Sequence, residues 1–134
     1  MAIQYSTTHR TNNVADISTQ AGINAPIKIF TGTPPANCAT ADSGVMLVTF
    51  AGNATQFGTT TAGVLTASAV ANATAANGGT AGYFRVYPSA ATTTNAVFQG
   101  TVGMSAADMI LTNTSIASGQ TCTFGPLTIT AFGA

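Results

Sequence analysis

Glycine and proline punctuate this chain so closely that its apolar segments are long enough only for short strands. The longest aliphatic run is Val45-Met46-Leu47-Val48, far below the ~20 residues that a membrane-spanning helix requires. Pro26, Pro34-Pro35, Pro88 and Pro126 border or separate the apolar runs, positions where a missing backbone N–H does not break a ladder. Between these breaks the pattern has period two. In Tyr83-Phe84-Arg85-Val86-Tyr87, Phe84 and Val86 share one face, and Tyr83, Arg85 and Tyr87 the other. Further strands are predicted over Ile27–Thr31, Val45–Phe50, Val64–Ala67, Val97–Val102 and Asp108–Thr112. The last strand changes parity, from Cys122 and Phe124 to Leu127, Ile129 and Ala131, and Gly125-Pro126 supplies the extra residue of a bulge. Asn37–Gly44 reads as a loop, and Ala71–Gly79 as a loop or frayed edge.

One segment has helical period. Val14, Ile17 and Ala21 form a stripe from about Thr11 to Ala21, with Asn13 and Asp16 spaced as a cap and Gly22 as the stop. The expected fold is therefore all-β: an antiparallel β-sandwich or jelly roll with one short N-terminal helix. It forms a single domain over residues 11–134, behind an N-terminal arm of residues 1–10. Seven Phe and three Tyr placed within the strand-like runs argue against a disordered chain.

Charge decides which partners are open to such a domain. Arg10, Lys28, Arg85, Asp16, Asp42 and Asp108 are the only charged side chains, 4% of 134 residues, and they sum to zero. Average soluble proteins carry about a quarter. Without a basic surface there is no grip on phosphate, so neither nucleic acid nor an anionic membrane is an expected partner. The N-terminal residues lack the basic and apolar regions of an export signal, which predicts use in a cytoplasm. On that reading Cys38 and Cys122 are expected as thiols, and the Asn-x-Ser/Thr sequons at Asn53, Asn72 and Asn113 are incidental. A neutral surface with few charges favours self-association and burial against neighbours.

Catalytic chemistry finds few groups to use. His9 is the sole histidine, and no Gly-x-Ser-x-Gly turn presents a nucleophile to it. The three Asp stand in unrelated local contexts, and Asp42-Ser43-Gly44 reads as a turn in which the carboxylate bonds nearby backbone. One His with two separated Cys does not make a zinc site. Gly78-Gly79-Thr80-Ala81-Gly82 precedes a strand, whereas phosphate-cradling loops follow one, so it reads as a flexible turn. The chain is expected to be no enzyme, with no catalytic residue, metal or cofactor. Interface contacts are assigned instead to His9 and Arg10 in the arm and to the Tyr83, Arg85, Tyr87 face, since aromatic and Arg side chains are favoured at interface hot spots. The two tyrosines would equally suit a sugar platform or packing on the domain's own surface.

The stretch from Ile27 to Cys38 (IKIFTGTPPANC), continuing through Ala41-Asp42-Ser43-Gly44, resembles a pattern in small structural proteins of tailed bacteriophages. So do Gly79 to Tyr87 (GTAGYFRVY), Gln99-Gly100-Thr101-Val102-Gly103 and Ala107-Asp108-Met109-Ile110. The resemblance leaves out Ala51–Asn77. It is closest to the capsid cement, or decoration, proteins, which are jelly-roll-like and lock contacts between major capsid proteins. It implies a virion protein on the capsid surface, assembled in the bacterial host cytoplasm. The implied partners are the major capsid protein and copies of itself in a homo-oligomer. A tail, neck or fibre component, structural or binding a receptor or glycan, is the alternative.

Overall fold

The computed structural model describes residues 3–89 and 95–133, so Met1 and Ala2 of the expected arm lie outside the described residues. Most of the chain's regular structure is strand, with one short helix. Helix α1 spans Thr7–Ala21 and the strands follow: β1 Ile27–Thr31, β2 Met46–Phe50, β3 Thr59–Thr61, β4 Val64–Thr66, β5 Ala73–Thr74 and β6 Gly79–Val86. They continue as β7 Phe98–Gly103, β8 Met109–Ile110, β9 Ser115–Ile116, β10 Thr121–Cys122 and β11 Thr128–Thr130.

The largest sheet runs β2-β1-β6-β7-β8, with β9 joined to the start of β6; a three-stranded sheet runs β11-β4-β3, and β10 pairs with β5. All these pairings are antiparallel except β7 with β8. Register puts apolar residues in rows across the large sheet. Phe50, Ile27, Val86 and Phe98 are mutual neighbours, as are Val48, Ile29, Phe84 and Gly100. These rows face one core, which also takes Leu65 of β4, Leu127 before β11 and Val14 and Ala21 of α1, with Ile17 packed at its margin. Gly100 has no side chain because the Phe84 ring occupies that space: a Cβ there would lie 2.8 Å from Phe84 Cε1.

The helical stripe Val14, Ile17 and Ala21 faces the core as its spacing requires, but the helix begins four residues before Thr11. Ser6 is its N-cap, accepting from the His9 N–H at 3.1 Å, and Gly22 closes it at φ 73°. Asn13 and Asp16 therefore lie mid-helix, and His9 and Arg10 belong to α1 rather than to an arm. Ser6 wins because its hydroxyl reaches an otherwise unpaired N–H of the first turn.

Two other expectations are corrected, and one strand is added. Gly79–Gly82 is not a flexible turn: it is the first half of the longest strand, where Gly79 and Thr80 pair with Ile116 and Ser115. The C-terminal segment is not one bulged strand. Gly125-Pro126 separates β10 and β11, which join different sheets. The region 51–77 holds the tight β3–β4 hairpin, turned by Ala62 and Gly63, both at positive φ. Period-two reading could not find β3, since Thr59-Thr60-Thr61 carries no apolar alternation.

Candidate interaction surface

The second face of the large sheet carries Lys28, Phe30, Tyr83, Arg85 and Gln99, with Arg85 flanked across the strands by Lys28 and Gln99. In a single-layer face these would meet solvent. Residues 32–44 instead fold back over them. Asn37 turns that loop, its side-chain oxygen accepting from the N–H groups of Ala39 and Thr40 at 3.0 Å. The loop's carbonyls then converge on one guanidinium.

Arg85 is fully buried, and each of its three nitrogens is engaged. Nε donates to Gln99 Oε1 at 2.9 Å; Nη1 to the Thr40 carbonyl and to Asp42 Oδ1, both at 2.8 Å; Nη2 to the Asn37 carbonyl at 2.9 Å and to Gln99 Oε1 at 2.8 Å. Gln99 passes the connection on to the Pro35 carbonyl. Tyr87 donates to the same Asp42 oxygen, and Lys28 Nζ sits 4.9 Å from the Tyr87 ring centroid. Tyr83 stacks on Phe30 and bonds the Ser43 backbone. A planar fork with five donors suits this task as a lysine would not.

The interface expected on Tyr83, Arg85 and Tyr87 is thus corrected. Those side chains are spent inside the chain, where they hold the loop to the sheet. Alternation identified the face correctly, but it carries no information about a loop folding back over it. Asp42 also departs from its expected turn role, since its carboxylate bonds Arg85 and Tyr87 rather than nearby backbone. Its side chain keeps 37% of its surface in solvent, so the ion pair is buried on the Arg85 side only.

Burial and the bond to Asp42 push the Tyr87 hydroxyl from the usual 10 up to about 12. Burial alone would lower the Arg85 pKa, but its bond to Asp42 and the nearby Tyr87 hydroxyl outweigh that and raise it, so the cation is locked on. A folded pKa raised above the unfolded one means that the native state holds the Tyr87 proton more tightly. That contribution is complete below pH ~10 and is lost as pH rises through about 12. Unfolding measured from pH 9 to 12 should show a decline of about 2 kcal/mol, which Tyr87→Phe flattens. Equal slopes in the two proteins would exclude this assignment.

The remaining chemistry is dispersed. Asp108 accepts from the Thr101 N–H and hydroxyl at 2.8 and 2.9 Å, and Asp16 from Gln20 at 3.5 Å. Among the described residues, no three of His, Cys, Asp and Glu cluster to hold a metal ion. Cys38 lies in the covering loop, whereas Cys122 packs against the core from the other side of the large sheet, its thiol pKa raised by burial. Both are free cysteines in the structure.

Among the described residues six large apolar side chains are exposed: Ile23, Val45 and Met104 at separate places, and Ile3, Tyr5 and Phe132 in the first and last segments of the chain, which meet. The Tyr5 N–H bonds the Gly133 carbonyl at 2.8 Å. Tyr5 lies 4.7 Å from the His9 ring and 6.3 Å from Phe132, which meets it edge-on. Phe132 is 80% exposed and Ile3 76%, extents that a lone folded domain gains nothing by showing to water. Beside this group Arg10, half-buried, lies over the hairpin turn at Gly63, and Ala131 bonds the Gly63 carbonyl. His9 and Arg10 therefore border an exposed aromatic cluster. Phe132 was missed in the sequence because alternation places Ala131 inward but cannot bring residue 132 to residue 5. No family model, curated protein or solved structure matches the chain.

Proposed function

We propose that the chain is a structural protein of a tailed-bacteriophage virion, a cement protein that binds the assembled shell of major capsid proteins and stabilises it. The observation that carries this reading is the exposed aromatic pair of Tyr5 and Phe132, with Ile3 exposed two residues before Tyr5, in a chain of only six charged side chains. Apolar aromatic side chains gain by leaving water, and a neutral surrounding surface adds no unpaired charge to the cost of docking. The same reading takes the sheets packed about one core as an antiparallel sandwich of the jelly-roll kind, with no catalytic role. It places the protein on the capsid surface after assembly in the host cytoplasm. Many copies, each weakly held to the shell and to one another, would lock it through multivalency.

The test uses particles assembled with and without the protein, heated in parallel, and particles carrying Tyr5→Ser/Phe132→Ser. Substitution leaves the Ser6 cap intact, as deletion of residues 2–8 would not. Particles with the native protein should survive heating that opens bare shells. The double variant should bind at least about tenfold more weakly, as expected when two hot-spot aromatics are removed. Equal heat resistance of bare and covered shells, or presence of the protein only in the tail, would refute the reading.

A further inference from the structure

The outward face of α1 is written so that it can meet a second copy of itself. Val14 and Ala21 point into the core, which leaves His9, Asn12, Asp16 and Thr19 exposed along the opposite stripe. His9 and Asp16 are seven residues apart, two turns, so they lie about 10.5 Å apart along the axis and within about 20° of one another around it. A two-fold axis crossing the helix between Asn12 and Asn13 sends His9 onto Asp16 of the second copy, and Asp16 onto its His9. Tyr5 then faces Gln20 of the second copy. The aromatic cluster at the start of one helix is also carried toward the end of the other, where Ile23 is 62% exposed. Small amides meet at the centre. In an isologous contact each unlike pair is made twice, which is what this order of residues supplies.

The free edge of β2 is a poorer place for self-pairing. The Asn77 side-chain amide donates to the Met46 carbonyl at 2.9 Å, and the Ala76 N–H to the Leu47 carbonyl at 2.7 Å, so that edge is already capped.

We infer that two copies of this chain associate through antiparallel α1 helices, with His9 of each bonded to Asp16 of the other. The inference deepens the self-association within the proposed function and rests on that reading. A helix of 15 residues covers far less than a standard interface, so the pair is weak, with Kd on the order of 10–100 μM, and gains weight from crowding on a shell.

Sedimentation velocity of the purified full chain at pH 7, over a range reaching about 1 mM, reads this out with no shell present. Failure here is therefore distinct from failure of shell attachment. A monomer–dimer equilibrium is expected. Asp16→Lys and His9→Asp should each weaken it about tenfold, since each symmetric dimer loses two contacts and His9→Asp also opposes two carboxylates. The combined H9D/D16K protein should recover most of the loss. Positions 9 and 16 are too far apart on one helix to bond each other, so recovery can only arise between copies. A monomer throughout the range, single variants that dimerise like the native chain, or a double variant that is no better than the singles would each overturn the inference.

Discussion

Replacing Arg85 with Ala should lower the unfolding free energy by about 4 kcal/mol, a fall in Tm on the order of 15 °C for a domain of this size. The reasoning follows from what the guanidinium touches. Its removal leaves the carbonyls of Asn37 and Thr40 and the Gln99 side chain without the partner that brought them together, at about 1–3 kcal/mol for each group that stays buried. It also takes away a fully buried stem two residues after Tyr83 in β6. Asp42 is the part that loses least, because it already faces solvent and can hydrate. Asp42→Asn should therefore have the smaller effect, and its size reports how much of the clamp is charge rather than geometry. Urea unfolding of the three proteins, with limited proteolysis of residues 32–44, checks both points. An Arg85→Ala protein within about 1 kcal/mol of the native one would show that the loop is held by other contacts.

The clamp explains why so sparing a charge content suffices. Of six charged side chains, Arg85 and Asp42 pair, Lys28 lies over Tyr87 and Asp108 caps Thr101. Arg10 borders the hairpin turn, and Asp16 remains on the exposed stripe of α1. Most of the charge is engaged in bonds or contacts within the chain, and the exposed Asp16, Asp42 and Asp108 share the outer surface with Thr, Ser, Asn and a few apolar residues.

Local pattern carried the alternation of Phe84 and Val86 against Tyr83 and Arg85, the helical stripe and the loop at 37–44, because strand and helix periods are set by the backbone itself. What it could not carry depends on distant pairing. The bond of Tyr5 to Gly133 and the covering of Arg85 by Asn37, Thr40 and Asp42 join residues far apart in the chain. No periodicity encodes such partners. The Tyr83, Arg85 and Tyr87 face was legible as a face; its burial was not. His9 and Arg10 were legible as polar residues near the N terminus, but their place beside Tyr5 and Phe132 needed the fold.

Gly82→Ala should be the most damaging single methyl in the chain's longest strand. Tyr83 pairs with Phe30 and Ala81 with Thr31, so Gly82 is the extra residue where β6 bulges against β1. At that bulge its Cα approaches the turn after β1. An added Cβ would run into the Gly32 carbonyl oxygen, with Gly32 C and N at 2.9 and 3.0 Å. Backbone cannot swing aside as a side chain does, so either the β1–β6 pairing opens at Thr31 or the Gly32 turn moves. Moving that turn disturbs the loop that closes over Arg85. A cost of about 3 kcal/mol or more is expected, at the upper end for overpacking. Gly119→Ala is the matching control: Gly119 has φ 82° and nothing within 4 Å of an added Cβ. It should lose only the left-handed backbone preference, roughly 1–2 kcal/mol. Thermal and urea unfolding of the two variants, side by side, decide the matter. If Gly82→Ala is no more destabilising than Gly119→Ala, the close approach of β6 to the Gly32 turn does not exist in the folded protein.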